Sequence, residues 1–62
     1  MSGYAQRAEK ATELEAKGLY RRAAMAWRDA LPLAPSIEIQ GMCASNAQRC
    51  SDQAKYKGKP EV

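Results

Sequence analysis

Histidine and phenylalanine are absent from this chain of 62 residues, and leucine occurs only four times. Without histidine, the chain lacks the commonest general base and the commonest metal ligand of proteins. No run of about 18 apolar residues is present, so we expect no transmembrane helix. The N-terminal residues also lack the apolar stretch of a signal peptide, and we therefore expect a cytoplasmic protein.

The chain also lacks the sequence patterns of catalysis. There is no glycine-rich phosphate loop, and no nucleophile has an evident base beside it. A domain of this size buries only about 60% of the surface of its unfolded chain, which leaves little room for a substrate cavity. We therefore expect no enzyme activity, no catalytic residue, no cofactor and no metal site.

Alanine, by contrast, occurs twelve times, and β-branched residues are scarce, a composition that favours helices. The apolar periodicity predicts three of them, over residues 4–17, 19–31 and 36–56. Gly18 tolerates a left-handed cap after the first helix, and Pro32 ends the second. The predicted fold is therefore all-α.

The three helices are expected to form one small domain, 1–62. Ser36 is predicted to cap the N-terminus of the third helix, because its hydroxyl can accept a hydrogen bond from a free backbone N–H. The basic tail, 57–62, is expected to fray, as chain ends do when nothing holds them.

The second helix has the strongest apolar period in the chain, and it indicates which side chains form the core. We expect the core to contain Tyr20, Ala23, Ala24, Trp27 and Leu31. A second pattern extends from the turn before this helix to the connector after it. Its members are Gly18, Tyr20, Ala23, Trp27, Ala30 and Pro35. This spacing resembles the second half of a tetratricopeptide repeat. The first two helices are therefore expected to form a tetratricopeptide-like hairpin.

The third helix has an apolar face that a single small chain cannot easily cover. The face carries Ile39, Cys43, Ala47 and Cys50, which we expect to form a homodimer interface. The two cysteines are about 10 Å apart along the helix axis, too far for a disulfide between them. We interpret them as small buried hydrophobic residues, with a metal site or a disulfide shared between subunits as the alternatives.

A pattern of spaced residues extends over most of the chain. Its members are Tyr4, Ala8, Ala11, Glu15, Gly18, Tyr20, Ala23, Ala24, Trp27, Ala30, Asn46, Arg49 and Cys50. This pattern resembles the ANR family of small bacterial transcription regulators. Residues 14–24 together with Trp27 also resemble the PerC family of transcriptional activators. We favour the ANR family, because its match starts earlier and continues into the third helix.

The ANR resemblance implies a protein that binds an AraC-type transcription activator and impairs the activator's dimerisation or DNA binding. Acidic residues interleave with basic ones along the first helix, which favours protein binding over direct DNA binding. The PerC resemblance implies a transcriptional activator, and direct binding to DNA is the second hypothesis. A helical adaptor with no role in transcription is the third.

Arg21 and Arg22 lie in the first turn of the second helix, where cations oppose the helix dipole. Cations in an unfavourable position indicate a role in recognising an acidic protein surface or a DNA phosphate, and the alternative is a solvated face. Together with Arg28 and Arg49, they are the residues that we expect to bind the partner.

Overall fold

The structure, a computed structural model, describes the backbone of residues 3–58 and the side chains of residues 3–55. It confirms the all-α fold of three helices, and this part of the chain contains no strand. The elements are α1 (Gly3–Ala16), α2 (Tyr20–Ala30), a 3-10 turn (Leu31–Leu33) and α3 (Ile37–Gly58).

The turn between α1 and α2 is closed by a glycine in the left-handed conformation. Gly18 has a φ of 80°, and its N–H donates to the Glu15 carbonyl at 2.9 Å. The next N–H, of Leu19, donates to the Leu14 carbonyl at 2.9 Å, so two free carbonyls at the end of α1 gain donors. A Cβ added to Gly18 would meet no atom within 4 Å. Glycine is therefore favoured here by its backbone conformation and not by lack of space.

The connector between α2 and α3 is more regular than the proline-rich sequence suggested. Pro32 is the second residue of the 3-10 turn. A backbone N–H at this position would have no partner within the turn, so the proline loses no hydrogen bond there. The Ala34 N–H donates to the Leu31 carbonyl at 3.1 Å and completes the turn. Ser36 then caps α3, since its Oγ accepts a hydrogen bond from the Ile39 N–H at 3.2 Å. Helix α3 continues past the predicted end to Gly58, and residues 59–62 of the basic tail lie outside the described residues.

Helix α2 packs against both α1 and α3, and the core lies around it. Among the residues whose side chains are described, Trp27 is the one large buried side chain, and it is 5% exposed. The other buried residues are small: Ala11, Ala23, Ala24, Ala30, Cys43, Ala47 and Cys50. Tyr20 and Leu31, which were also predicted for the core, are partly buried and pack against this cluster. Small side chains let the three helices approach closely, so most of the large-residue packing depends on Trp27.

The apolar face of α3 is covered by the chain itself. Cys43 and Cys50 have no exposed surface, Ala47 is 4% exposed, and Ile39 is partly buried. Three of the four residues predicted for a homodimer interface therefore belong to the core of one chain. In the sequence, an apolar helix face that is covered by a second chain looks the same as one that is covered by neighbouring helices of its own chain. Homodimerisation remains a prediction, and it would need a different surface.

The two cysteines are free thiols inside the core. Burial raises the pKa of the Cys50 thiol, so this side chain stays protonated at neutral pH. The Cys43 thiol donates a weak hydrogen bond to the Tyr4 hydroxyl, with sulfur and oxygen 4.0 Å apart. Both observations agree with small hydrophobic residues that also connect α3 to α1.

Candidate functional site

A groove of about 310 Å³ runs between α2 and the C-terminal half of α3. Its cationic side chains come from both helices, and a methionine lies among them. The lining residues are Arg21, Ala24, Met25, Arg28, Ser51, Ala54 and Lys55. We call this feature the basic groove.

The spacing of residues along α2 explains why the groove contains two arginines. Arg21, Met25 and Arg28 stand at positions i, i+4 and i+7, which places them in one stripe along the helix. The inward position of Ala24 and Trp27 turns that stripe towards the edge of α3. On α3, Ser51, Ala54 and Lys55 form the matching stripe.

The three cations of the basic groove are available for binding. Arg21, Arg28 and Lys55 are all exposed, and no acidic residue is present among the described residues that line the groove. Within residues 3–55, none of the three is in an ion pair. Helix α2 also begins without a side-chain cap, and no acidic residue lies in its first turn. The positive charge of Arg21 is therefore unfavourable at this helix end, and an anionic partner would offset it.

The floor of the basic groove is apolar. Ala24 is 3% exposed, Ala54 is partly buried, and Met25 is 59% exposed between the two arginines. A methionine side chain is flexible and adapts to differently shaped surfaces. The groove thus combines two binding chemistries, a cationic rim and an adaptable apolar centre.

The other two arginines predicted to bind a partner lie elsewhere. Arg22 is exposed but does not line the basic groove. Arg49 is held by two hydrogen bonds: one of its Nη atoms bonds to a Glu15 carboxylate oxygen, and the other donates to the Asn46 Oδ1 at 3.2 Å. The sequence argument grouped four arginines by charge alone, whereas the fold brings only Arg21 and Arg28 together.

Outside the basic groove, the Glu15 side chain bonds to side chains of both other helices. Its second carboxylate oxygen accepts a hydrogen bond from the Trp27 indole N–H at 3.3 Å. The bond from Arg49 lowers the pKa of Glu15 below its ordinary value, although partial burial acts in the opposite direction. Glu15 is consequently ionised at neutral pH. Its stabilising contribution is lost as the pH falls through this lowered pKa.

An ion pair on the surface joins α1 to α2. Arg7 and Asp29 approach to 3.8 Å, with side chains that are 54% and 63% exposed. Pairs this exposed contribute little to stability, because water screens them and both side chains lose rotational freedom. This contact is a minor feature beside the bonds of Glu15.

Sequence reasoning missed three residues of the site. Lys55 was placed at the end of the third helix but not among the partner-binding residues, Met25 was not singled out, and Glu15 was noted only as part of a family pattern. The seven-residue spacing of Arg21 and Arg28 was a usable signal, because it places both on one helical face. The position of Lys55 beside that face depends on how α3 packs against α2, and no local pattern encodes it.

Two further properties of the described residues bear on function. None of the helices within residues 3–58 combines the length and the hydropathy needed to cross a membrane. In the same part of the chain, no group of three or more cysteine, aspartate or glutamate side chains is arranged to hold a metal ion.

The fold and the groove define a small helical domain that presents unpaired cations around an apolar centre, a surface suited to an anionic partner. The family model described as "PerC transcriptional activator" matches residues 6–61. This match includes most of α1, the whole of α2 and α3, and every residue of the basic groove, and the chain belongs to the PerC transcriptional activator family. The comparison does not show the ANR family, which the sequence pattern had favoured. No curated protein and no solved structure matches the chain.

Proposed function

We propose that this chain activates transcription by binding DNA directly, with the basic groove against the phosphate backbone. The observation that carries the proposal is that Arg21, Arg28 and Lys55 converge from two helices and form no ion pair with any acidic side chain that the structure describes. Membership of a family of transcriptional activators supports the direction of the effect.

The spacing of the cations suits an extended anion. Arg21 and Arg28 are about 10 Å apart along the axis of α2, at 1.5 Å per residue. Two long side chains at that separation reach different phosphates of one strand, and Lys55 adds a third contact from α3. Phosphate contacts supply most of the affinity of non-specific DNA binding and fix the orientation of a protein on the duplex.

Titration of a labelled duplex with the wild-type protein tests this function. With three phosphate contacts, the logarithm of the binding constant is expected to fall with that of the salt concentration with a slope of about −2.7. Affinity would then drop about 40-fold between 50 and 200 mM salt. Absence of binding at about 100 µM protein in low salt, or binding that salt does not weaken, would contradict the proposal.

A second candidate function is restraint of an AraC-type activator by direct protein contact. The exposed Met25 at the centre of the basic groove favours it, because phosphates gain little from an apolar surface. An acidic segment with apolar side chains would contact the cationic rim and the floor together. In this case the chain would act as a repressor, and the same groove would bind a protein.

Replacing Met25 with glutamine separates the two candidates. Met25 is largely exposed, so the change is expected to alter stability by no more than about 0.5 kcal/mol. We expect DNA affinity to stay within about twofold of wild type, since the phosphate contacts remain. Met42→Gln is the matched control, because Met42 is 44% exposed on α3 and does not line the groove.

The protein-contact candidate makes the opposite prediction for this variant. Binding to a purified AraC-type activator would weaken by about tenfold in Met25→Gln and would be unchanged in Met42→Gln. If wild type binds such an activator in this way and does not bind duplex, direct DNA binding is the wrong mechanism.

A further inference from the structure

One carboxylate connects all three helices of this protein. Glu15 lies near the end of α1, accepts a hydrogen bond from the Trp27 indole of α2, and forms an ion pair with Arg49 of α3. Its side chain is 19% exposed, whereas that of Arg49 is 50% exposed. Asn46 accepts a further hydrogen bond from Arg49 and holds the guanidinium in place. We call Glu15, Trp27 and Arg49 the three-helix clamp.

The clamp and the basic groove both involve α2 and α3, but the clamp joins these helices through Glu15 of α1. Trp27 immediately precedes Arg28 on α2, whereas Arg49 lies half a turn before Ser51, so the clamp and groove residues of α3 lie on opposite sides of that helix. A separate depression of about 340 Å³, lined in part by Glu15, Tyr20 and Arg49, marks the clamp. A shift of α3 at the clamp would therefore move Lys55 relative to the arginines of α2.

The apolar packing of α3 leaves this geometry weakly determined. Among residues 37–55 of α3, the buried side chains are Cys43, Ala47 and Cys50, which are all small, and the larger Ile39 is only partly buried. Small side chains interlock little, so they oppose sliding or rotation of a helix less than large ones do. Directional hydrogen bonds to a buried or half-buried charge fix the position of one helix along another more sharply than apolar contact alone does.

We propose that Glu15 is a positioning residue for the basic groove. Through Trp27 and Arg49, it fixes α3 against α2 so that Lys55 faces Arg21 and Arg28. This inference rests on the proposed DNA-binding function for its biological meaning, but not for its structural test. Glu15 itself does not touch the ligand.

The test compares Glu15→Gln with Glu13→Gln, two substitutions that each remove one negative charge from α1. Glu13 is exposed, and among the described residues its side chain makes no hydrogen bond or ion pair. General electrostatics predicts slightly tighter DNA binding for both variants, since each becomes more basic. If Glu15 positions the basic groove, Glu15→Gln should instead bind duplex about fivefold more weakly than Glu13→Gln, after correction for the folded fraction.

A second readout does not depend on DNA. Met25 lines the basic groove, so the NMR signal of its methyl group reports the arrangement of α2 and α3 around it. We expect Glu15→Gln to shift the Met25 methyl signal and to leave that of Met42, which is outside the groove, near its wild-type position. Glu13→Gln should shift neither signal.

The outcomes are distinct. If wild type does not bind duplex but Glu15→Gln still shifts the Met25 signal, the proposed function fails and the positioning role stands. Unchanged Met25 signals and equal DNA affinities in the two folded variants would overturn the positioning role.

If Glu15→Gln does not fold, Arg49→Lys takes its place, because lysine keeps the charge but cannot bond to Glu15 and Asn46 through a planar fork. The same shift and the same loss of affinity are then expected, and their absence would overturn the proposal.

Discussion

Substituting alanine for Trp27 is expected to abolish cooperative thermal unfolding. Trp27 is 5% exposed and is the one large buried residue within 3–55, so its removal empties the centre of the core. Emptying an aromatic core site costs about 3–5 kcal/mol. A single core in a domain of this size rarely supplies more than about 3–5 kcal/mol of stability, so little would remain. Circular dichroism during heating measures the loss.

The matched variant is Trp27→Phe, which keeps most of the ring volume and removes the indole N–H that bonds to Glu15. It should unfold cooperatively at a reduced melting temperature. The difference between the two variants separates the packing contribution from that of the hydrogen bond. A Trp27→Ala protein that melts close to the wild-type temperature would show that the core does not depend on this residue.

Reversing the charge of Arg21 and Arg28 together is expected to abolish DNA binding at moderate salt. Two phosphate contacts become repulsions, and we expect affinity to fall by at least about 100-fold. The fold should survive, because both side chains are exposed. Glutamate at position 21 is favourable in the first turn of α2, whereas the loss of Arg28 from the last turn costs a few tenths of a kcal/mol. Duplex titration and thermal unfolding of the same sample measure both effects.

The control carries the same change in net charge at other exposed positions. Lys10→Glu with Arg22→Glu lies outside the basic groove, on α1 and on a different stripe of α2. If DNA binding depends on the groove, this control loses affinity only through the long-range effect of net charge, by less than about tenfold. Equal losses in the two double variants would show that total charge matters and the groove does not.

Much of the fold could be predicted from local rules. The apolar period indicated three helices, Gly18 marked a left-handed turn, and Ser36 marked a cap. Each of these depends on residues within one or two turns, so the sequence contains what is needed. The exact course of the connector did not follow, because Pro32 fits either an extended segment or the first turn of a 3-10 helix.

The site was less predictable, because it depends on contacts between helices. Arg49 forms an ion pair with Glu15 of α1. Arg28 has no such partner among the described residues and lines the basic groove with Lys55. Charge and helical face give no information about that difference. For the same reason, the buried face of α3 was interpreted as a dimer interface. The direction of regulation has no physical signature in the sequence, and only family membership supports activation.

Direct DNA binding by this chain requires that Arg21 and Arg28 contact DNA phosphates. The most direct measurement is the salt dependence of duplex binding for wild type and for Arg21→Gln with Arg28→Gln. Removing two phosphate contacts should reduce the magnitude of the logarithmic slope by about 2 and weaken binding to related and unrelated sequences alike. A folded double variant with the wild-type slope and the wild-type affinity would contradict the account.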